Sequence, residues 1–281
     1  MKKRFNGIVV PMITPLMVDR QIDIVAVGNI MSLFAENSIS PLVLGTTGEG
    51  ASIGVACSLA LVKAAVAAKR GEQIIFAGLA GNNVDFLIES AKRYSDLGVD
   101  AVVSTLPSYY LLTPVQMEKF YIRLADESPC PVLMYNIKAT TQMSIPLEVV
   151  EKLSAHPNIA GLKDSERDMQ RLENCINTYR NRADFSFFCG WGAKSLNSLR
   201  MGADGIVPST GNIIPEVYKT LYDAFLQENF ELAEKIQKDT DVIALDYQQG
   251  RSLGESLAVL KAMMQKRGLC WRYMMPPLTE I

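Results

Sequence analysis

From Pro131 to Lys163 the chain reads PVLMYNIKATTQMSIPLEVVEKLSAHPNIAGLK. Two short apolar runs, PVLMY at its start and IAGLK at its end, are nearly continuous in hydrophobicity, the pattern of strands buried on both faces of a parallel sheet. Between them PLEVVEKLSAH carries apolar residues at spacings of three and four, as an amphipathic helix does. The reading is strand, helix, strand, with the first strand ending on a phenol and the second on an amine.

The same alternation extends in both directions. IVVPM from Ile8, PLVLG from Pro41, QIIFAG from Gln73 and DAVVS from Asp100 precede the segment; FSFFCG from Phe185 and DGIVPS from Asp204 follow it. Helical stretches such as IDIVAVGNIMSLFAENS, VACSLALVKAAVAAKR, NVDFLIESAKRYSDLG and TPVQMEKFYIRLADE lie between them. Eight strand and helix units within about 210 residues predict a (β/α)₈ TIM barrel; a doubly wound sheet usually has fewer strands and often a GxGxxG turn after the first. The expected division is a barrel over residues 1–211 and a C-terminal helical extension over residues 212–281, packed on the barrel or offering its apolar residues to another subunit.

Composition narrows the function. The 281 residues are 48% hydrophobic and 21% charged, enough apolar mass for a large core. A net charge of -2 and a pI near 5.6, with basic residues scattered among acids, give no footprint for nucleic acid. The start, MKKRFNGIVVPMITPL, is basic and then apolar, but Pro11 and Pro15 interrupt it and no small-residue cleavage site follows. No run approaches the ~20 apolar residues of a membrane span, so a cytoplasmic protein with neither membrane nor nucleic acid as partner is expected. Five widely spaced cysteines without a CxxC pair read as reduced, mostly buried thiols. The single histidine, His156, excludes metal sites built from several imidazoles of this chain, and its SAHPN setting reads as a polar turn.

In such a barrel the site is assembled at the carboxyl ends of the strands. The second strand runs into Gly45-Thr46-Thr47-Gly48-Glu49-Gly50, where glycines permit a tight turn and two hydroxyls with exposed amides suit a carboxylate. Pro107-Ser108-Tyr109-Tyr110 follows the fourth strand, Tyr135 ends the fifth and Lys163 ends the sixth. A strand-end lysine is commonly a solvated charge. Ala160, Gly161 and Leu162 before it also allow an amine emerging from a desolvated mouth, where burial lowers a lysine pKa and makes the amine a nucleophile toward ketones. Tyr135 on the neighbouring strand is then placed to move protons.

GTTGE, the tyrosine pair, YN, GLKD and GADGIVPSTGNIIPE, in that order and in register from about Phe5 to Gly211, resemble the dihydrodipicolinate synthase and N-acetylneuraminate lyase family. The resemblance implies a (β/α)₈ class I aldolase, usually a homotetramer built as a dimer of dimers, that handles pyruvate through a lysine Schiff base without metal or other cofactor. It implies that Lys163 is the Schiff-base lysine and Tyr135 its proton-transfer partner. Thr46 and Thr47 match positions that link to the tyrosine and bind the pyruvate carboxylate, with Gly48 in the same turn. Tyr110, with Tyr109 beside it, matches a tyrosine lent to a neighbouring subunit's site. Val207 matches a residue whose backbone lies near the bound ketoacid.

Two segments depart from the family. The synthase members carry YNVPxRTG after the fifth strand; here Lys138 stands for the proline, Thr140 for the arginine and Gln142 for the glycine. Without that guanidinium fork the dihydrodipicolinate reaction loses its expected anchor. Lys138 brings a positive charge on a flexible stem, either solvated or turned to substrate. Sugar-acid and sialic acid lyases carry an acidic pair where this chain has Gly190-Trp191-Gly192-Ala193, so Trp191 is either a broad apolar wall or packed beneath the mouth. Asp164 leans toward the sugar-acid aldolases. The function implied is a lyase joining or splitting a 2-oxo acid and a small aldehyde or short 2-keto-3-deoxy sugar acid. Dihydrodipicolinate synthase, N-acetylneuraminate lyase and a non-catalytic ketoacid-binding barrel are the alternatives.

Overall fold

The computed structural model describes residues 3–281. In chain order the elements begin β1 (Gly7–Pro11), α1 (Ile24–Glu36), β2 (Ile39–Val43), α2 (Val55–Ala67), β3 (Phe76–Leu79), α3 (Val84–Asp96), β4 (Ala101–Thr105) and α4 (Pro114–Glu127). They continue with β5 (Val132–Asn136), α5 (Lys138–Thr141), α6 (Leu147–Leu153), β6 (Ile159–Asp164), α7 (Met169–Tyr179), β7 (Ser186–Cys189), α8 (Ser195–Met201) and β8 (Gly205–Ile206). Three helices follow: α9 (Pro215–Leu226), α10 (Phe230–Gln248) and α11 (Leu253–Lys266). The strands form a closed barrel in sequence order, β1 to β8, as the eight apolar runs predict.

Helix starts follow local chemistry. Asp23, Asn83, Asp168 and Asn229 accept backbone N–H groups at the first turns of α1, α3, α7 and α10. Thr113 with Gln116, and Ser252 with Glu255, form reciprocal capping boxes on α4 and α11. Some strand limits differ from the apolar runs. QIIFAG becomes a strand only at Phe76, because the Gln73 amide turns inward to donate to Met31 O at 3.3 Å and Ile39 O at 3.0 Å. The polar stretch after Tyr135 contains the four-residue helix α5.

The chain divides into two compact units, one of residues up to Gly7 with Phe76–Val207, the other of Ile8–Ile75 with Pro208–Ile281. In the first, strands β3 to β8 are parallel neighbours backed by α3 to α8. Its amino end is locked by buried Lys3, whose Nζ donates to Tyr179 O at 2.7 Å, Phe185 O at 2.9 Å and Asp204 Oδ2 at 2.8 Å. In the second, β1 and β2 pair in parallel and Asn212 ties the segment after β8 to β1, donating to Pro11 O at 2.9 Å and accepting from Ile13 N at 3.0 Å. The Tyr247 hydroxyl lies 2.7 Å from Ser209 Oγ and 3.0 Å from Thr210 Oγ1, joining α10 to the same segment. Among the described residues no helix is long and apolar enough to cross a membrane.

Candidate active site

Strands β5 and β6 carry the two reactive side chains. Tyr135 is the register partner of Lys163, and Lys163 of Phe188 on β7. Phe188 meets Phe76 at 6.2 Å between ring centroids and Phe76 meets Phe5 at 5.4 Å, so this face of the strands is an apolar interior. Lys163 and Tyr135 share it, each 5% exposed. The Lys163 Nζ sits 3.5 Å from the centroid of the Tyr135 ring. Of the two readings of Lys163, the buried one holds.

Side chains alternate along a strand, so the next pair, Asn136 and Asp164, faces outward to the helices. There a polar cluster holds the strand ends. Asn136 Nδ2 donates to Asp164 Oδ2 at 3.1 Å and Glu166 Oε2 at 3.0 Å, and its Oδ1 accepts from Ile145 N at 3.0 Å. Arg171, on α7, places Nε 2.7 Å from Asp164 Oδ2 and donates to Ile145 O at 2.8 Å. Burial pushes the Asp164 carboxyl upward against the pull of Arg171. Burial also opposes the Glu166 charge, but hydrogen bonds from Ser144 at 2.5 Å and from Asn136, with Arg171 nearby, outweigh it and hold that carboxyl below its usual range. The sequence reading missed this cluster beyond noting Asp164. The only local sign of it is an acid-rich GLKDSE with Arg171 five residues further on.

Residues at which the sequence departs from the pattern it resembles, Lys138 and Thr140, stand just after Tyr135. Lys138 and Thr140 lie on α5, which is closed by Gln142 in the left-handed region at φ 58°. Lys138 is exposed, and its Nζ pairs with Glu166 Oε1 at 3.4 Å. The Thr140 hydroxyl, also exposed, donates to Ile137 O at 3.3 Å. Trp191, after β7, is half-buried, with the Lys194 amine 5.4 Å from its ring. Val207 is buried and its N–H donates to Cys189 O at 2.8 Å. Tyr109 and Tyr110 stack edge to face at 4.9 Å yet are 76% and 73% exposed, on a segment held by Asn82 Oδ1 through the N–H groups of Ser108 and Tyr109.

In the other unit, Gly45–Gly50 forms a tight turn after β2. Thr46 is half-buried and Thr47 buried, Glu49 N donates to Thr46 O at 3.1 Å and Gly50 N to Gly45 O at 3.1 Å. A Cβ at Gly48 would meet Met12 O at 2.8 Å and one at Gly50 would meet Leu44 O at 1.9 Å, so the backbone closes here only with glycine. Among the described residues no group of three or more His, Cys, Asp or Glu could hold a metal ion.

Against known proteins, the model of the dihydrodipicolinate synthetase family matches residues 4–281. The chain belongs to the dihydrodipicolinate synthetase family. As a member it is a carbon–carbon lyase of the aldolase type. It is 27% identical over 282 residues to a probable 2-dehydro-3-deoxy-D-pentonate aldolase of Escherichia coli (strain K12), covering 99% of this chain and 93% of that one. It is 29% identical over 234 residues to a 4-hydroxy-tetrahydrodipicolinate synthase of Shewanella sp. (strain ANA-3), covering 83% and 79%. A crystal structure of dihydrodipicolinate synthase from Bacillus anthracis superposes with a TM-score of 0.90 at 25% identity over 99% of this chain and 94% of that one. For this member of the dihydrodipicolinate synthetase family, the resemblance in its strand-end motifs and the barrel they predict agree with the match.

Proposed function

We propose that the protein forms a Schiff base between Lys163 and pyruvate or a related 2-oxo acid, and makes or cleaves the bond between that acid and a small hydroxylated aldehyde. The observation that carries this is the buried approach of the Lys163 amine to the Tyr135 ring at paired strand ends. A desolvated amine beside a phenol has the two functions the chemistry needs, a nucleophile for the ketone and a group that moves protons.

The amine adds to the ketone, water leaves, and the protonated imine draws electrons from the carbon skeleton. In cleavage the substrate hydroxyl gives its proton to the Tyr135 oxygen as the carbon–carbon bond breaks, releasing the aldehyde and leaving the enamine of pyruvate on Lys163. Protonation of the enamine carbon and addition of water then free pyruvate. In synthesis the same enamine attacks the aldehyde. Thr46 relays protons to Tyr135; Thr47, the Gly48 amide and the Val207 backbone receive the 2-oxo acid. Tyr110, with Tyr109, serves a neighbouring subunit's site in a homotetramer, which the exposure of both rings supports. No metal or other cofactor takes part, and the enzyme works in the cytoplasm.

Lys138, Thr140 and Trp191 form the aldehyde side. Glu166 engages the Lys138 charge and Thr140 offers a hydroxyl where synthase members carry arginine, which favours a neutral, hydroxyl-bearing aldehyde over a carboxylate-bearing one. The similarity to a 2-dehydro-3-deoxy-D-pentonate aldolase points the same way. A second reading, 4-hydroxy-tetrahydrodipicolinate synthase, has the similarity to that enzyme from Shewanella in its favour. A panel of 2-keto-3-deoxy sugar acids scored by pyruvate release, run beside aspartate semialdehyde condensation, separates them. Release from a sugar acid with no condensation is expected; turnover of aspartate semialdehyde alone would replace the first reading with the second.

A further inference from the structure

Glu49 occupies the turn that carries Thr46 and Thr47, yet nothing in the proposed chemistry uses it. Its backbone lies in the left-handed region at φ 58°, where glycine or asparagine is the usual resident. A glutamate persists at such a position when its side chain is held by contacts that over-determine the backbone. Those contacts lie on the C-terminal part of the chain. The Glu49 carboxylate is fully buried, with Oε1 against the Nζ of Lys261 on α11, itself 1% exposed, and Oε2 accepting from Met275 N at 2.7 Å. The same Lys261 Nζ donates to Tyr273 O at 2.7 Å. One buried ion pair therefore grips residues 273 and 275 and the turn together, although Glu49 and Lys261 are far apart in sequence.

Such a pair is a poor device for stability, because the desolvation of both ions offsets their attraction and apolar replacements of similar volume are often no worse. What it supplies is a fixed position. The rest of the turn is also fastened, with the Thr14 hydroxyl donating to Gly48 O at 2.5 Å and Ser52 N to Glu49 O at 2.8 Å. The turn carrying Thr46 and Thr47 is closed onto Glu49, whose N–H donates to Thr46 O at 3.1 Å.

We propose that Glu49 and Lys261 are positioning residues, whose buried pair seats the Gly45–Gly50 turn on the C-terminal segment so that Thr47 and the Gly48 amide meet the 2-oxo acid carboxylate and Thr46 holds its place as the proton relay. This rests on the reading of Thr47 and the Gly48 amide as groups that receive the 2-oxo acid and of Thr46 as the relay. It makes α11 and residues 270–275 a working part of the 2-oxo acid half of the site.

The test is borohydride trapping of pyruvate, measured against pyruvate concentration, in the whole protein. Failure of the unaltered protein to trap would sink the Schiff-base reading itself. Given wild-type trapping, Glu49→Gln and Lys261→Met are each expected to raise the half-saturating pyruvate concentration by about tenfold to a hundredfold, the scale of a small misplacement of binding groups, at a temperature where circular dichroism shows both folded. The double variant E49Q/K261M leaves no buried unpaired charge and is expected to show the same rise even where a single variant fails to fold. A lowered thermal midpoint with wild-type pyruvate saturation in the folded variants would overturn the proposal. In the unaltered protein, pyruvate is expected to slow amide hydrogen exchange in residues 270–275 as well as 45–50; protection of the turn alone would also overturn it.

Discussion

The amine of Lys163 lies over the face of the Tyr135 ring, 3.5 Å from its centroid, on register-paired strands β6 and β5. The ring and the hydroxyl of Tyr135 therefore have separable tasks. The ring face walls the amine, and in the proposed mechanism the hydroxyl moves the proton.

Tyr135→Phe keeps the wall and removes the hydroxyl. Pyruvate trapping on Lys163 should persist while steady-state turnover falls by about 10² to 10⁴, the range for loss of a general acid or base. Tyr135→Ala should impair both. Equal turnover by wild type and Tyr135→Phe would take the phenol out of the mechanism.

Behind the pair, Arg171 compensates the buried charge of Asp164. Arg171→Met leaves that carboxylate with only the Asn136 amide and the Glu166 N–H, which donates to Asp164 Oδ1 at 2.9 Å, and removing one partner of a buried pair costs about 3–5 kcal/mol. Urea unfolding should show a midpoint lowered accordingly with an unchanged slope. A change under 1 kcal/mol, well below that ~3–5 kcal/mol range, would mean the pair does not hold the strand ends.

Glu166 gives this region a pH signature. Its carboxyl is held below the usual range in the folded chain, so the unfolded chain binds its proton at a higher pH. Its stabilising contribution is then complete above the unfolded value of about 4.3 and is lost as pH falls through the lower folded value. Glu166→Gln should lose stability less steeply on acidification through that window, read as urea midpoints at successive pH values. An identical acid limb would remove Glu166 from the balance. Asp164, whose carboxyl is raised, works with the opposite sign, so Asp164→Asn should steepen the limb.

The Lys138–Glu166 pair makes a separate claim about substrate choice. Glu166→Gln releases the Lys138 charge, and one freed exposed charge is worth up to about 1 kcal/mol, about fivefold in rate. The ratio of kcat/KM for a carboxylate-bearing aldehyde to that for glyceraldehyde should rise by that factor, and adding Lys138→Ala should cancel the gain. No change in the ratio would place Lys138 outside the aldehyde site.

Burial predicts which thiols react. Desolvation pushes Cys175 and Cys270 up to about 12 and Cys189 up to about 11, and raises buried Cys130, whereas Cys57 is half-exposed. Alkylation of the native protein at pH 8 should label Cys57 first and the other four only with denaturant, as read by peptide mass. Rapid native labelling of Cys189 would show that the strand β7 end is open.

The barrel is legible in the sequence because parallel strands buried on both faces leave continuous apolar runs, and the strand-end positions of Tyr135 and Lys163 follow from those runs. Their pairing face to face needed the register of β5 on β6, which no local pattern contains. For the same reason Asn136, Asp164, Glu166 and Arg171 read as separate polar residues until the strands align them. Helix α5 is four residues closed by left-handed Gln142, where a glycine or asparagine would have signalled the stop. The Glu49–Lys261 pair joins segments too distant in sequence for any spacing rule to connect.

The most direct measurement is incubation with saturating pyruvate and sodium borohydride, followed by intact-mass and peptide analysis. A single reduced pyruvate adduct on the peptide carrying Lys163, absent in Lys163→Ala, is the predicted result. An unmodified Lys163 under saturating pyruvate, or an adduct on another lysine, would contradict the account.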